Sequence, residues 1–128
     1  MTIRAIVYAS FLCLSVVAAA QEGSKPVFVC NLKAISAAER PRYTALIKRI
    51  RATAHDRREV QNGYTYRLNE KAVSLPEVAE WIAMERLCCP FLTLQISVAG
   101  NQADWVLTLT GPEGVKALLN EEFPTIAK

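Results

Sequence analysis

Leu92, Leu94, Ile96 and Val98 alternate without a break with Thr93, Gln95 and Ser97, and beyond Gly100-Asn101 the residues Trp105, Leu107 and Leu109 alternate again. Apolar side chains that recur every second residue share one face of a β-strand, so this stretch predicts a hairpin with one buried face. A second hairpin signal, Asn62-Gly63, lies between Arg58 to Gln61 and the alternating Tyr64, Tyr66 and Leu68. Two such hairpins imply a largely antiparallel sheet whose apolar face must be covered by other elements.

The cover comes from helical periodicity. Ser36-Ala37-Ala38-Glu39 has capping-box spacing, and Tyr43, Leu46, Ile47, Ile50 and Ala54 recur on one helical face, predicting a first helix that ends near His55. Pro41 fits only the first turn, which puts the regular part near Glu39. Ser74-Leu75-Pro76-Glu77 opens a second helix in which Val78, Trp81, Ile82 and Glu85 share a face, and Pro90 stops it. Thr110-Gly111-Pro112-Glu113 caps a short third helix striped by Val115, Leu118, Leu119 and Phe123. Val27 to Cys30, apolar and rich in β-branched residues, reads as a first strand. The expected fold is α+β, a two-layer sandwich of a mainly antiparallel sheet with helices on one face, in the order β-α-β-β-α-β-β-α. The pattern leaves the strand order open.

The chain begins with Arg4, an apolar run from Ala5 to Val17, and Ala18-Ala19-Ala20 ahead of polar Gln21. This tripartite pattern reads as a signal peptide over residues 1–20, cleaved between Ala20 and Gln21. The alternative of a retained anchor meets an apolar run shorter than the roughly 20 residues that span hydrocarbon. Cys13 follows bulky Leu12 inside the apolar core, which argues against a lipid-attachment site. What remains, residues 21–128, has the length of one α+β domain with one core, periplasmic or secreted, with no membrane span after cleavage.

The whole chain carries a net charge of +3, too small to call for nucleic acid or an acidic membrane. Arg40, Arg42, Lys48, Arg49, Arg51, Arg57 and Arg58 do cluster, but no aromatic residues interleave with them for base stacking, so a solvated helix face is expected. The only histidine, His55, reads as a helix-end cation. No Ser-His-acid arrangement, His-x-x-x-His or phosphate loop is present, and no catalytic residue is assigned. Thr110 to Gly114 offers N–H groups to an anion at a helix start, although Glu113 would repel one.

Chemistry concentrates in Cys30, Cys88 and Cys89. Adjacent side chains on a regular helix diverge by about 100°. Pro90 pushes Cys89 out of the helical region while Cys88 stays in it, and the two sulfurs can then converge. Glu85, one turn earlier, reaches toward the same place. If Cys30 packs beneath that helix, three sulfurs and a carboxylate suit zinc, copper(I), mercury, cadmium or arsenite. Arg67 and Arg86 are candidate supporting residues, Arg67 as a partner for Glu85 or a ligand anion.

The competing readings are a disulfide from Cys30 to Cys88 or Cys89, stapling a non-enzymatic binding domain, and thiol-disulfide exchange. Exchange is disfavoured because a helix C-terminus beside Glu85 raises thiol pKa values, which Arg86 offsets only in part. A metal ion or small molecule is the expected partner.

From Cys30 to Phe123 the chain resembles a set of small uncharacterised bacterial proteins. The resemblance is carried by Cys-Asn-Leu at 30–32, Glu-Arg-Leu-Cys-Cys-Pro-Phe-Leu at 85–92 and Leu-Thr-Gly-Pro-Glu-Gly at 109–114. It implies that the three cysteines belong together and brings no activity with it. The export leader sets this chain apart from that set and bears on whether the thiols stay reduced.

Overall fold

In the computed structural model, which describes residues 27–124, the two hairpins join edge to edge in one antiparallel sheet. Its strands are β1 (His55–Val60), β2 (Gly63–Asn69), β3 (Thr93–Ser97) and β4 (Asp104–Thr110), in the order β1-β2-β4-β3. The expected leader at 1–20, its expected cleavage site and Cys13 lie outside the described residues.

Register carries out what the alternation predicts. Tyr64 lies opposite Leu109, Tyr66 opposite Leu107 and Leu68 opposite Trp105, while Leu94 and Ile96 of β3 meet the same two leucines. Tyr64, Tyr66, Leu68, Leu107 and Leu109 are buried, whereas Thr65, Arg67, Val106 and Thr108 between them are only half-buried. One face of the sheet therefore carries the core and the other remains open.

Three helices cover the core face: α1 (Arg40–Thr53), α2 (Leu75–Cys88) and α3 (Val115–Glu122). Pro41 sits in the first turn of α1, where its missing N–H costs nothing, and Tyr43, Leu46, Ile47 and Ile50 form the buried stripe. The Ser36 and Glu39 side chains bond to one another in the turn just before α1. At α2 the Ser74 N–H donates to Glu77 Oε2 at 3.0 Å, which completes the predicted capping box. Trp81 at the centre of α2 is fully buried, its ring edge-on to Phe123. Among the described residues, no helix is long and apolar enough to cross a membrane.

Three local expectations are corrected. Val27 to Cys30 is not a strand: it has no ladder partner among the described residues, and Val27 and Val29 are 86% and 73% exposed. A one-turn 3₁₀ helix, Leu32–Ala34, follows it. The β1–β2 loop is Gln61-Asn62 rather than Asn62-Gly63, because Asn62 takes the left-handed conformation at φ 57° while Val60 pairs with Gly63. Gly63 is needed for a different reason: a Cβ there would collide with the Leu109 carbonyl and lie 2.8 Å from Thr110 Cα. α3 begins at Val115, after Gly114 turns the chain at φ 92°.

Candidate three-cysteine site

α2 ends as Pro90 requires. Cys88 is its last helical residue, and Cys89 leaves the helix at φ −123°, ψ 69°, its N–H still donating to the Glu85 carbonyl at 2.8 Å. The chain then folds back, with the Leu92 N–H donating to the Cys89 carbonyl at 3.0 Å. Cys88 and Cys89 consequently reach one place from different backbone conformations.

Cys30 arrives from the N-terminal segment. The Asn31 N–H donates to the Cys88 carbonyl at 2.8 Å, satisfying one of the open carbonyls of the α2 terminus. Phe28 packs on Phe91 with ring centroids 4.9 Å apart, closing the same corner. Cys30 and Cys89 form a disulfide with a Cα–Cα distance of 4.7 Å, and Cys88 remains a free, buried thiol. The sequence allowed Cys30 to pair with either neighbour, and the structure selects Cys89. The three sulfurs all lie within 4.8 Å of one another.

The surroundings are dry. Cys88 is 2% exposed and Cys89 fully buried, whereas Cys30 is half-exposed at the rim. Glu85 is only 6% exposed, and its Oε2 accepts a 2.7 Å hydrogen bond from the Tyr43 hydroxyl on α1. Burial holds the Glu85 carboxyl above the usual glutamate range, an effect the Tyr43 bond opposes. Burial and then the Glu85 charge push the Cys88 thiol up, with Tyr43 offsetting in part. Tyr43 is itself raised, first by burial and then by Glu85. Cys88 is therefore a protonated thiol at neutral pH.

Glu85, expected as a fourth ligand, lies outside the group of three mutually close sulfurs, and one of its oxygens is taken by Tyr43, a partner the sequence reading missed. A signal for it existed: both are polar groups on apolar helical stripes, and a buried phenol and a buried carboxyl each need a hydrogen-bonding partner.

Arg67 does not pair with Glu85. Its side chain lies on the open face of β2 and donates to Asp104 Oδ2 at 3.2 Å and Gln102 Oε1 at 3.3 Å. Arg86 is exposed on α2.

The remaining candidates resolve as surface structure. His55 is the first residue of β1, its Nδ1 3.0 Å from the Thr53 carbonyl and its Nε2 3.2 Å from Asp104 Oδ2. Much of the basic run is paired: Arg42 with Glu80, Arg49 with Glu77, Arg51 with Glu122 and Arg58 with Asp56. Arg40 donates to the carbonyls of Leu32 and Ile35. At the anion candidate, the Gly111 N–H is already bonded to the Asn62 carbonyl at 3.0 Å.

Comparison with protein-family models, curated proteins and solved structures returns no match to this chain.

Proposed function

We propose that this is an exported capture protein in which Cys30, Cys88 and Cys89, once reduced, ligate one soft metal ion or metalloid. The observation that carries the reading is the mutual approach of three sulfurs to within 4.8 Å. A zinc–sulfur bond of about 2.3 Å puts tetrahedral sulfurs roughly 3.8 Å apart, so after reduction the Cys30 and Cys89 sulfurs must separate by about 1.8 Å from their bonded distance while the Cys88 sulfur draws in by up to about 1 Å. Thiolates select soft acceptors such as copper(I), mercury, cadmium and arsenite over hard cations. The leader and the disulfide both fit a periplasmic or secreted location.

Reduction must precede capture. A dithiol reductant attacks the Cys30 sulfur, the half-exposed end of the bridge, and Cys89 leaves as a thiolate that takes up a proton. The second thiolate of the reductant then attacks the mixed disulfide, frees Cys30 and departs within its own disulfide. Two electrons pass to the protein, and three thiols stand together.

The disulfide itself favours a second reading, a stapled binding domain with no captured ion. One experiment separates the two. The purified protein is reduced, desalted and offered zinc, cadmium, mercury(II), copper(I) or arsenite, and the retained element is counted. Capture requires about one equivalent in the wild type and its loss in the Cys88→Ala/Cys89→Ala double variant. Equal retention by both proteins ends the capture reading, and failure of reductant to lower the thermal midpoint ends the staple.

A further inference from the structure

Cys88 and Cys89 are buried, and the one ionisable acid beside them, Glu85, is buried as well. Among the described residues, no Lys, Arg or His forms a hydrogen bond or ion pair with Glu85 or with any of the three cysteines. Arg51, the nearest cation to influence Glu85, is committed to Glu122 and stacks over Phe123 at 5.6 Å. The Tyr43 hydroxyl and the more distant Arg51 offset the Glu85 charge only in part, and no cation bonds any of the three sulfurs, so further negative charge buried there is unfavourable.

Three thiolates around zinc, cadmium or mercury(II) form a complex with one negative charge, and around copper(I) one with two. Around a trivalent metalloid the complex is neutral. Donor number points the same way: the group of mutually close ligand atoms holds three sulfurs and no fourth donor, whereas a closed zinc site wants four. A trivalent pyramidal centre needs only three, its lone pair filling the remaining corner.

We infer that the cargo of this site is an uncharged trivalent metalloid hydroxide, of the class of arsenous acid, rather than a divalent cation. The inference rests on the capture reading above. Each arsenic–hydroxide bond is replaced by an arsenic–sulfur bond, and each thiol proton leaves on the departing hydroxide as water. Three waters are released. Arsenic stays trivalent, no electron moves, and the solution gains no proton, whereas zinc would release one proton for each thiol it binds.

The test uses the wild-type protein reduced with a phosphine, which is removed under nitrogen before titration with arsenite, zinc or cadmium. Native mass spectrometry is expected to show one arsenic gained for three hydrogens lost. Calorimetry in two buffers of different ionisation heat is expected to give the same arsenite enthalpy, and arsenite is expected to bind at least about tenfold tighter than zinc or cadmium. Cys88→Ser, which keeps the Cys30–Cys89 pair, is expected to weaken arsenite retention by on the order of 100-fold through loss of the third arm. Tighter binding of zinc or cadmium, or proton release with arsenite, overturns the inference while leaving the capture reading in place, whereas an unchanged Cys88→Ser affinity removes the third ligand and overturns both. Retention of none of the probes ends both.

Discussion

Tyr43 and Glu85 act as a pair held across two helices, and each is costly without the other. Tyr43→Phe leaves the buried carboxyl without its donor and is expected to lower stability by about 1–3 kcal/mol, read from urea unfolding at neutral pH. The same pocket writes a pH signature. Because Glu85 binds its proton more tightly in the folded protein, its contribution is complete below the ordinary glutamate pKa of about 4.3 and is lost as pH rises above it. The Cys88 contribution behaves likewise around the ordinary thiol value of about 8.5. In urea midpoints taken across pH, Glu85→Gln should gain on the wild type above the lower value, and Cys88→Ser above the upper one. Parallel curves would refute this. At this scale the sequence announced the sulfurs through Cys-Cys-Pro, but it placed Tyr43 only as an apolar helical residue, since periodicity records which face a side chain occupies and not what its terminal oxygen meets.

Among the elements, the β1–β2 hairpin depends most on a single position. The close approach of β4 at Gly63 leaves no room for a side chain, so Gly63→Ala is expected to cost at least about 2 kcal/mol through forced separation of the β2–β4 ladder. Thermal unfolding monitored by circular dichroism checks this, and a midpoint within a degree of the wild type would contradict it. Periodicity together with the Asn62-Gly63 turn signal predicted all three helices and all four strands of the described sheet. They failed at Val27 to Cys30, because a β-branched run shows an extended preference without showing whether a neighbouring strand has a free edge. They also placed the start of α3 too early, since a cap at Gly114 depends on a left-handed backbone that composition alone does not reveal.

For the whole molecule, the Cys30–Cys89 bridge closes a loop across a sequence separation of 59 and ties the segment before α1 to the end of α2. Loop-closure entropy for that separation corresponds to about 4 kcal/mol, so Cys30→Ser should lower stability by about 2–4 kcal/mol in denaturant titrations without reductant. If reductant destabilises the wild type and the variant equally, the bridge contributes nothing. The strand order, like the choice of Cys89 over Cys88, lay beyond the sequence, because the pairing of β2 with β4 is set by how the intervening α2 packs rather than by either strand alone. One main-chain contact joins the same two segments without involving sulfur: the Asn31 N–H donates to the Cys88 carbonyl at 2.8 Å. Opening the bridge is therefore expected to leave the two freed sulfurs at a high effective concentration toward each other, so that oxidant and cargo compete for the same pair of groups.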